Sequence, residues 1–440
     1  MVSAKIGGKV NCFKVSGQVS RVVVSVSLLL SVQAQAKLVV HEWGTFTSLV
    51  GSNGQAQNGM FHEDEALPNF VHNFGDSQPI LQKSQVNLFA WAPPQDPPAP
   101  MPPPNTPRCS GHPKVPCEFL VGQRITQKME TPVVYFYSDV SRQVSFDVSF
   151  PGGIISQSYP AASRLEPRAI PGVELKNGFA NYVVNILKNT TAVPPFVEPS
   201  NIYSHARNVA SDLIQVGHET EKFIFYRGLG EFNTELEVIS KNENLQIRNI
   251  GIKNIPAVFL VYTNGQGQGN ILSLGRIKAL DKIHLNTQTI AKFKANLKTH
   301  SAFLSEARLD LLNSLTKAGL FHDEALAMLN TWQNGYFKTA GLRILYVLNS
   351  QEVEKILPVR ISPEPDQFSR VFVGRIEILL DQVEQIILEK IVAEGAQYDV
   401  SQLGRMAQPI LLRVQELART KQILTSELAQ VIDELIARAD

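Results

Sequence analysis

Three histidines and several carboxylates fall within 32 residues: His41-Glu42-Trp43-Gly44-Thr45-Phe46 is followed by His62-Glu63-Asp64-Glu65 and then by His72. Neutral imidazole and carboxylate are the ligands zinc takes where no thiolate is offered, and an open fourth position would activate a water molecule. His41, His62, Glu63 and His72 are therefore the candidate ligands of a divalent metal such as zinc, with His41 and Glu42 as candidate catalytic groups. The pattern is loose. His41-Glu42 lacks the second histidine of H-E-x-x-H, and His62-Glu63-Asp64-Glu65 reads equally well as a solvated acidic loop.

Two more candidates are single charges set in apolar runs. Glu130 precedes Thr131-Pro132-Val133, and Arg227 ends Phe223-Ile-Phe-Tyr226. A buried Glu130–Arg227 pair would be a substrate clamp or a structural ion pair. The chain has no Gly-x-Ser-x-Gly elbow, dinucleotide fingerprint or phosphate loop; Asn264-Gly-Gln-Gly-Gln-Gly-Asn270 leads into another strand-like run and reads as a hairpin turn.

The N-terminus bears on where such chemistry would operate. Lys5, Lys9, Lys14 and Arg21 precede a mainly apolar run over Val22 to Val32, which ends in Ala34-Gln35-Ala36. A basic start, a short apolar core and an A-x-A site make 1–36 a cleavable signal peptide, and the run is about half the roughly 20 residues a spanning helix needs. The protein is thus expected to be exported, to the periplasm or beyond the cell, with no transmembrane anchor in the mature chain. N-terminal sequencing of the exported protein should begin at or near Lys37; a mature product that retains Met1 would refute this.

Loss of those four basic residues changes the balance from 41 basic against 40 acidic to 37 against 40. Nothing in that balance favours a nucleic-acid partner. Cleavage also removes Cys12 and leaves Cys109 and Cys117, which an exported chain is expected to link as a local disulfide.

Three stretches must position the candidate groups. Residues 37–119 show little periodicity and include a proline-rich, extended surface loop over 92–108. Residues 120–288 alternate. Val144, Phe146, Val148 and Phe150 are separated by polar residues, the period of a strand with one buried face, and polar connections such as Lys241-Asn-Glu-Asn244 imply hairpins. Residues 289–440 are mainly helical, with short strands near 342–348 and 370–378. Leu309, Leu312 and Leu315 mark one helix, and Leu380, Val383, Ile386, Ile387 and Ile391 mark the buried face of another. The expected fold is α+β, an antiparallel β-sandwich-like N-terminal part with a helical C-terminal region.

His41-Glu-Trp-Gly-Thr-Phe-Thr47, Lys128-Met-Glu-Thr-Pro-Val-Val-Tyr-Phe-Tyr137, Phe150-Pro-Gly-Gly-Ile-Ile155, Glu221-Lys-Phe-Ile-Phe-Tyr-Arg-Gly228, the Glu324 to Trp332 helix and Val371-Phe-Val-Gly-Arg-Ile376 resemble a group of uncharacterised exported bacterial proteins that share the H-E-W-G-T-F opening. The resemblance spans most of the mature chain and implies bacterial export. It carries no activity across. The absence of a strong catalytic motif favours an extracytoplasmic binding or envelope-associated module; the alternative is a metal-assisted hydrolase built on the early histidines and carboxylates.

Overall fold

A computed structural model describes residues 37–62, 65–75, 114–120, 122–170 and 172–439. Residues 1–36, expected to be a signal peptide, Glu63, the proline-rich loop and Cys109 lie outside the described residues. The first stretch supplies β1 (Leu38–Val50), β2 (His72–Asn73) and the short helix α1 (Cys117–Leu120). The second supplies β3 (Gln127–Ser138), β4 (Arg142–Phe150), β5 (Gly153–Tyr159), β6 (Arg164–Glu166), β7 (Gly178–Leu187), β8 (Leu213–Val216), β9 (Glu219–Glu221) and β10 (Phe223–Gly230). It continues with β11 (Leu236–Lys241), β12 (Asn244–Asn249), β13 (Ile255–Thr263), β14 (Gly269–Ile277) and β15 (Lys282–Leu285).

The third stretch begins with α2 (Thr287–Ala295), α3 (His300–Ala318), α4 (His322–Thr331) and α5 (Gln333–Phe337). It then adds β16 (Gly341–Val347), α6 (Ser350–Ile356), β17 (Val359–Ser362) and β18 (Gln367–Ile378), and closes with α7 (Asp381–Glu394), α8 (Ala407–Thr420) and α9 (Ser426–Ile436). The chain is α+β, as its periodicities imply.

Nine strands form the main sheet in the order β14-β13-β16-β18-β1-β3-β10-β5-β2. All three stretches contribute to it. β1 sits inside this sheet and all 13 of its residues are buried. Its pairing with β18 is parallel and joins two strands that lie outside the antiparallel stretch expected over residues 120–288. The reason is topological: β1 and β18 are more than 300 residues apart in the chain, so no hairpin constrains their relative direction.

The interior has three parts. One face of the main sheet packs Val40, Val134 and Ile224 against Val144, Phe146 and Val148 of a six-stranded sheet and against Val238 and Ile247 of the sheet β11-β12-β15. This is the sandwich. Full burial of each such side chain stabilises by about 1.5–3 kcal/mol before entropy is counted. The other face carries Trp43, Val133, Phe225 and Val371 against α3, α4 and α5. A third cluster joins α7, α8 and α9 to Leu49 and Phe61. Among the described residues no helix is long and apolar enough to cross a membrane.

Candidate functional site

Strand alternation sends the two leading candidates to opposite faces of the sheet. His41 faces the helical layer and Glu42 the sandwich interior, because successive side chains on a strand point opposite ways.

His41 is fully buried, and its Nδ1 lies 2.9 Å from Glu324 Oε2 on α4. The same carboxylate accepts the Tyr137 hydroxyl at 2.6 Å and the Phe321 backbone N–H at 2.7 Å, so it also caps α4. The Gln367 amide donates to His41 Nε2 at 3.1 Å. With Nε2 accepting, the proton resides on Nδ1 and is donated to Glu324. Burial and then the Glu324 charge push the Tyr137 hydroxyl well above its ordinary range, so it stays a donor. Phe321 covers the imidazole, with ring centroids 4.4 Å apart.

Carboxylate, imidazole and hydroxyl are the parts of a nucleophile relay, and Ser369 pairs with His41 across the parallel strands. The Gln367 amide, however, stands between them, 3.1 Å from His41 Nε2 and 3.4 Å from Ser369 Oγ. As arranged, Glu324 and Gln367 together hold the ring as a cross-brace between β1, β18 and α4.

Glu42 is equally enclosed. Its Oε1 accepts the Tyr226 hydroxyl and its Oε2 accepts Arg370 Nε at 2.5 Å. Arg370 continues to the Leu357 carbonyl at 2.6 Å and Glu354 at 2.8 Å. Burial works against the charge on Arg370, but Glu42 and Tyr226 outweigh it and hold the guanidinium above its usual value. This is a structural ion pair.

Further along the sheet, on the face that carries His41, runs a seam of buried charge. Glu130 accepts Thr47 Oγ1 at 3.0 Å and lies 3.2 Å from Lys128 Nζ and 3.7 Å from Lys114 Nζ. Arg227 donates to Thr131 Oγ1 at 3.3 Å and lies over the Phe225 ring. The clamp imagined between Glu130 and Arg227 thus gives way to separate partners, because Thr131, with φ of 50°, interrupts the register between β3 and β10. At the neighbouring strands Arg343 Nε (2.9 Å) and Arg375 Nε (2.6 Å) share Glu377 Oε1. Burial opposes ionisation of Glu377, yet the two arginines prevail and hold its carboxyl below the ordinary value.

The histidines do not converge. His62 Nε2 meets Gln408 Oε1 on α8 at 2.8 Å, and His72 Nε2 meets Glu219 on β9 at 2.8 Å. β2 lies four strand positions from β1, about 19 Å at the usual spacing, so His72 cannot share an ion with His41. Among the described residues no group of three or more His, Cys, Asp or Glu could hold a metal, and His41, His62 and His72, the described members of the set expected with Glu63, are held apart.

Glu324, Arg343, Arg370, Arg375 and Glu377 were not singled out from sequence. A signal existed: Arg343, Arg375 and Glu377 each interrupt an otherwise apolar strand, as Glu130 does.

No family model matches the chain, and no curated protein matches it. Among solved structures it is similar to the Fcho1 mu homology domain of Danio rerio with bound Eps15 peptide, at 6% identity, covering 79% of this chain and 100% of that one, with a TM-score of 0.27. It is also similar to the yeast delta-COP-I mu-homology domain complexed with a Dsl1 WxWxV peptide, at 7% identity, covering 79% and 99%, with a TM-score of 0.26.

Proposed function

We propose that the protein is an exported binding module that recognises a partner outside the cytoplasm through an apolar loop held rigid on the sandwich. One observation carries this reading: Val193 is 80% and Phe196 76% exposed, on a segment that is nevertheless anchored. Pro194 and Pro195 restrict the backbone between them. Arg207 Nη1 donates to the Pro195 carbonyl at 2.6 Å and its Nη2 to Glu221 at 2.6 Å, Ser204 Oγ holds the Pro199 carbonyl at 2.9 Å, and Val197 packs on the core beneath. Two large apolar side chains displayed on a pre-ordered segment lose little entropy when a partner covers them. The hydrolase alternative lacks the histidine grouping that motivated it.

A photo-crosslinking residue placed at 196 of the exported protein, in the cells that make it, should give a discrete adduct with an envelope or extracellular partner. Val193→Ser with the crosslinker retained should remove that adduct and change stability by no more than about 0.5 kcal/mol, as exposed substitutions do. Failure to form an adduct, or the same adduct from a crosslinker at exposed Leu309, would defeat the reading.

A further inference from the structure

An open concavity of about 390 Å³ lies where the loop before β11, the loop after β12 and helix α6 meet. Its walls include Ile250, Ile252 and Ile356, with Glu235, Glu352 and Lys355 as the charged groups. Glu235 is committed on both oxygens, to Lys355 Nζ and to Asn349 Nδ2, each at 2.9 Å. Glu352 is different. Its side chain is 2% exposed, its Oε1 accepts the Glu235 backbone N–H, and its Oε2 is buried with no hydrogen-bond partner.

A buried carboxylate oxygen with no donor is expensive, of the order of 1–3 kcal/mol or more for a charged group. The cost shows in the acid–base behaviour of the group. Burial pushes the Glu352 carboxyl up to about 7; the Glu235 N–H and Lys355 pull it down and the Glu235 charge pushes it up. Tyr346 faces it from β16, with the hydroxyl neutral, and no histidine is among these facing groups.

We propose that this pocket binds a primary ammonium group on a short aliphatic stem, with the ammonium donating to Glu352 Oε2 and the stem lying on Ile250 and Ile252. Only one oxygen is available, so a guanidinium fork would leave a donor unmatched, whereas a compact ammonium matches a single acceptor. One oxygen also falls short of the ligand set a divalent cation needs. The apolar walls select a carbon stem over a free ammonium ion, and the volume suits a ligand of a few heavy atoms. Such an ammonium comes either from a free alkyl diamine or from a lysine side chain of another protein. This site is remote in sequence from the Val193–Phe196 loop, and the inference does not depend on that reading.

The test is calorimetric titration of the mature protein with 1,5-diaminopentane and, separately, with Nα-acetyl-lysine N-methylamide. At pH 8 at least one probe should bind saturably at one site, and the tighter of the two identifies the source. At pH 5.5 a carboxyl titrating near 7 is only about 3% ionised, so affinity should fall at least about tenfold. Glu352→Gln should abolish binding, while Glu389→Gln, at an exposed position of α7, should leave it intact. Ile252→Lys, at a position 73% exposed, cannot disturb the core; its added ammonium should exclude both probes even if Glu352→Gln folds poorly. No saturation with either probe, binding unchanged between pH 8 and 5.5, or binding that survives Ile252→Lys would overturn the proposal.

Discussion

Glu377→Leu should destabilise the protein by about 3–5 kcal/mol, because it leaves Arg343 and Arg375 without the carboxylate they share in a buried seam. The Coulomb term alone would not give so large a loss. Most of it comes from desolvated guanidiniums that lose a shared counter-charge, which is also why removing charge on both sides behaves differently. Arg343→Met combined with Glu377→Leu should recover much of the loss in equilibrium urea unfolding. The pH dependence has a definite sign. A carboxyl held below its ordinary value when folded contributes stability above the unfolded pKa, about 4.3, and loses it as pH falls through the folded value. Glu377→Gln should therefore show a shallower loss of stability below about pH 4.3 than the parent protein. Equal acid sensitivity in the two proteins would show that the seam does not act this way.

Glu324→Ala should have a comparable effect, about 3–5 kcal/mol, since three donors on three elements converge on one fully buried carboxylate. Tyr137 and His41 would lose an acceptor inside the protein, and α4 would lose the cap on its Phe321 N–H. His41→Ala removes only one arm, so its cost is smaller. The two changes should be strongly non-additive, with a coupling of about 1–3 kcal/mol in a double-mutant cycle. The cycle also tests the cross-brace against a catalytic role. If Glu324→Gln and His41→Ala leave unfolding unchanged, the brace is wrong and the imidazole–carboxylate pair is free to serve chemistry instead.

Local pattern was enough wherever the deciding contacts are close in sequence. The alternation over Val144, Phe146, Val148 and Phe150 predicts a strand with one buried face, and all four are fully buried. The hairpin at Lys241 to Asn244 forms with positive φ at Asn242 and Glu243, and the glycine-rich stretch at 264–270 connects β13 to β14. Helical periodicity located the C-terminal helices and placed Leu315, Leu380, Ile387 and Ile391 in the interior, but not every member of each stripe is buried. Leu309, Val383 and Ile386 are exposed, while Leu311, Glu384 and Leu388 face inward, because the stripe that counts is chosen by the neighbouring element and not by the helix alone.

Tertiary structure alone decided the rest. β1 and β18 lie side by side through a parallel register that no local signal encodes. His41 meets a carboxylate 283 residues away, and Glu42, its neighbour in the chain, points into a different layer. Sequence proximity grouped His41, His62 and His72, but a strand buried in the sheet, a loop reaching α8 and a pairing at the sheet edge carry them to separate places. Residue type shows which groups can ligate, pair or titrate; whether they meet depends on strand order and on which face each register exposes, and those are set by burial of apolar surface summed over the whole chain.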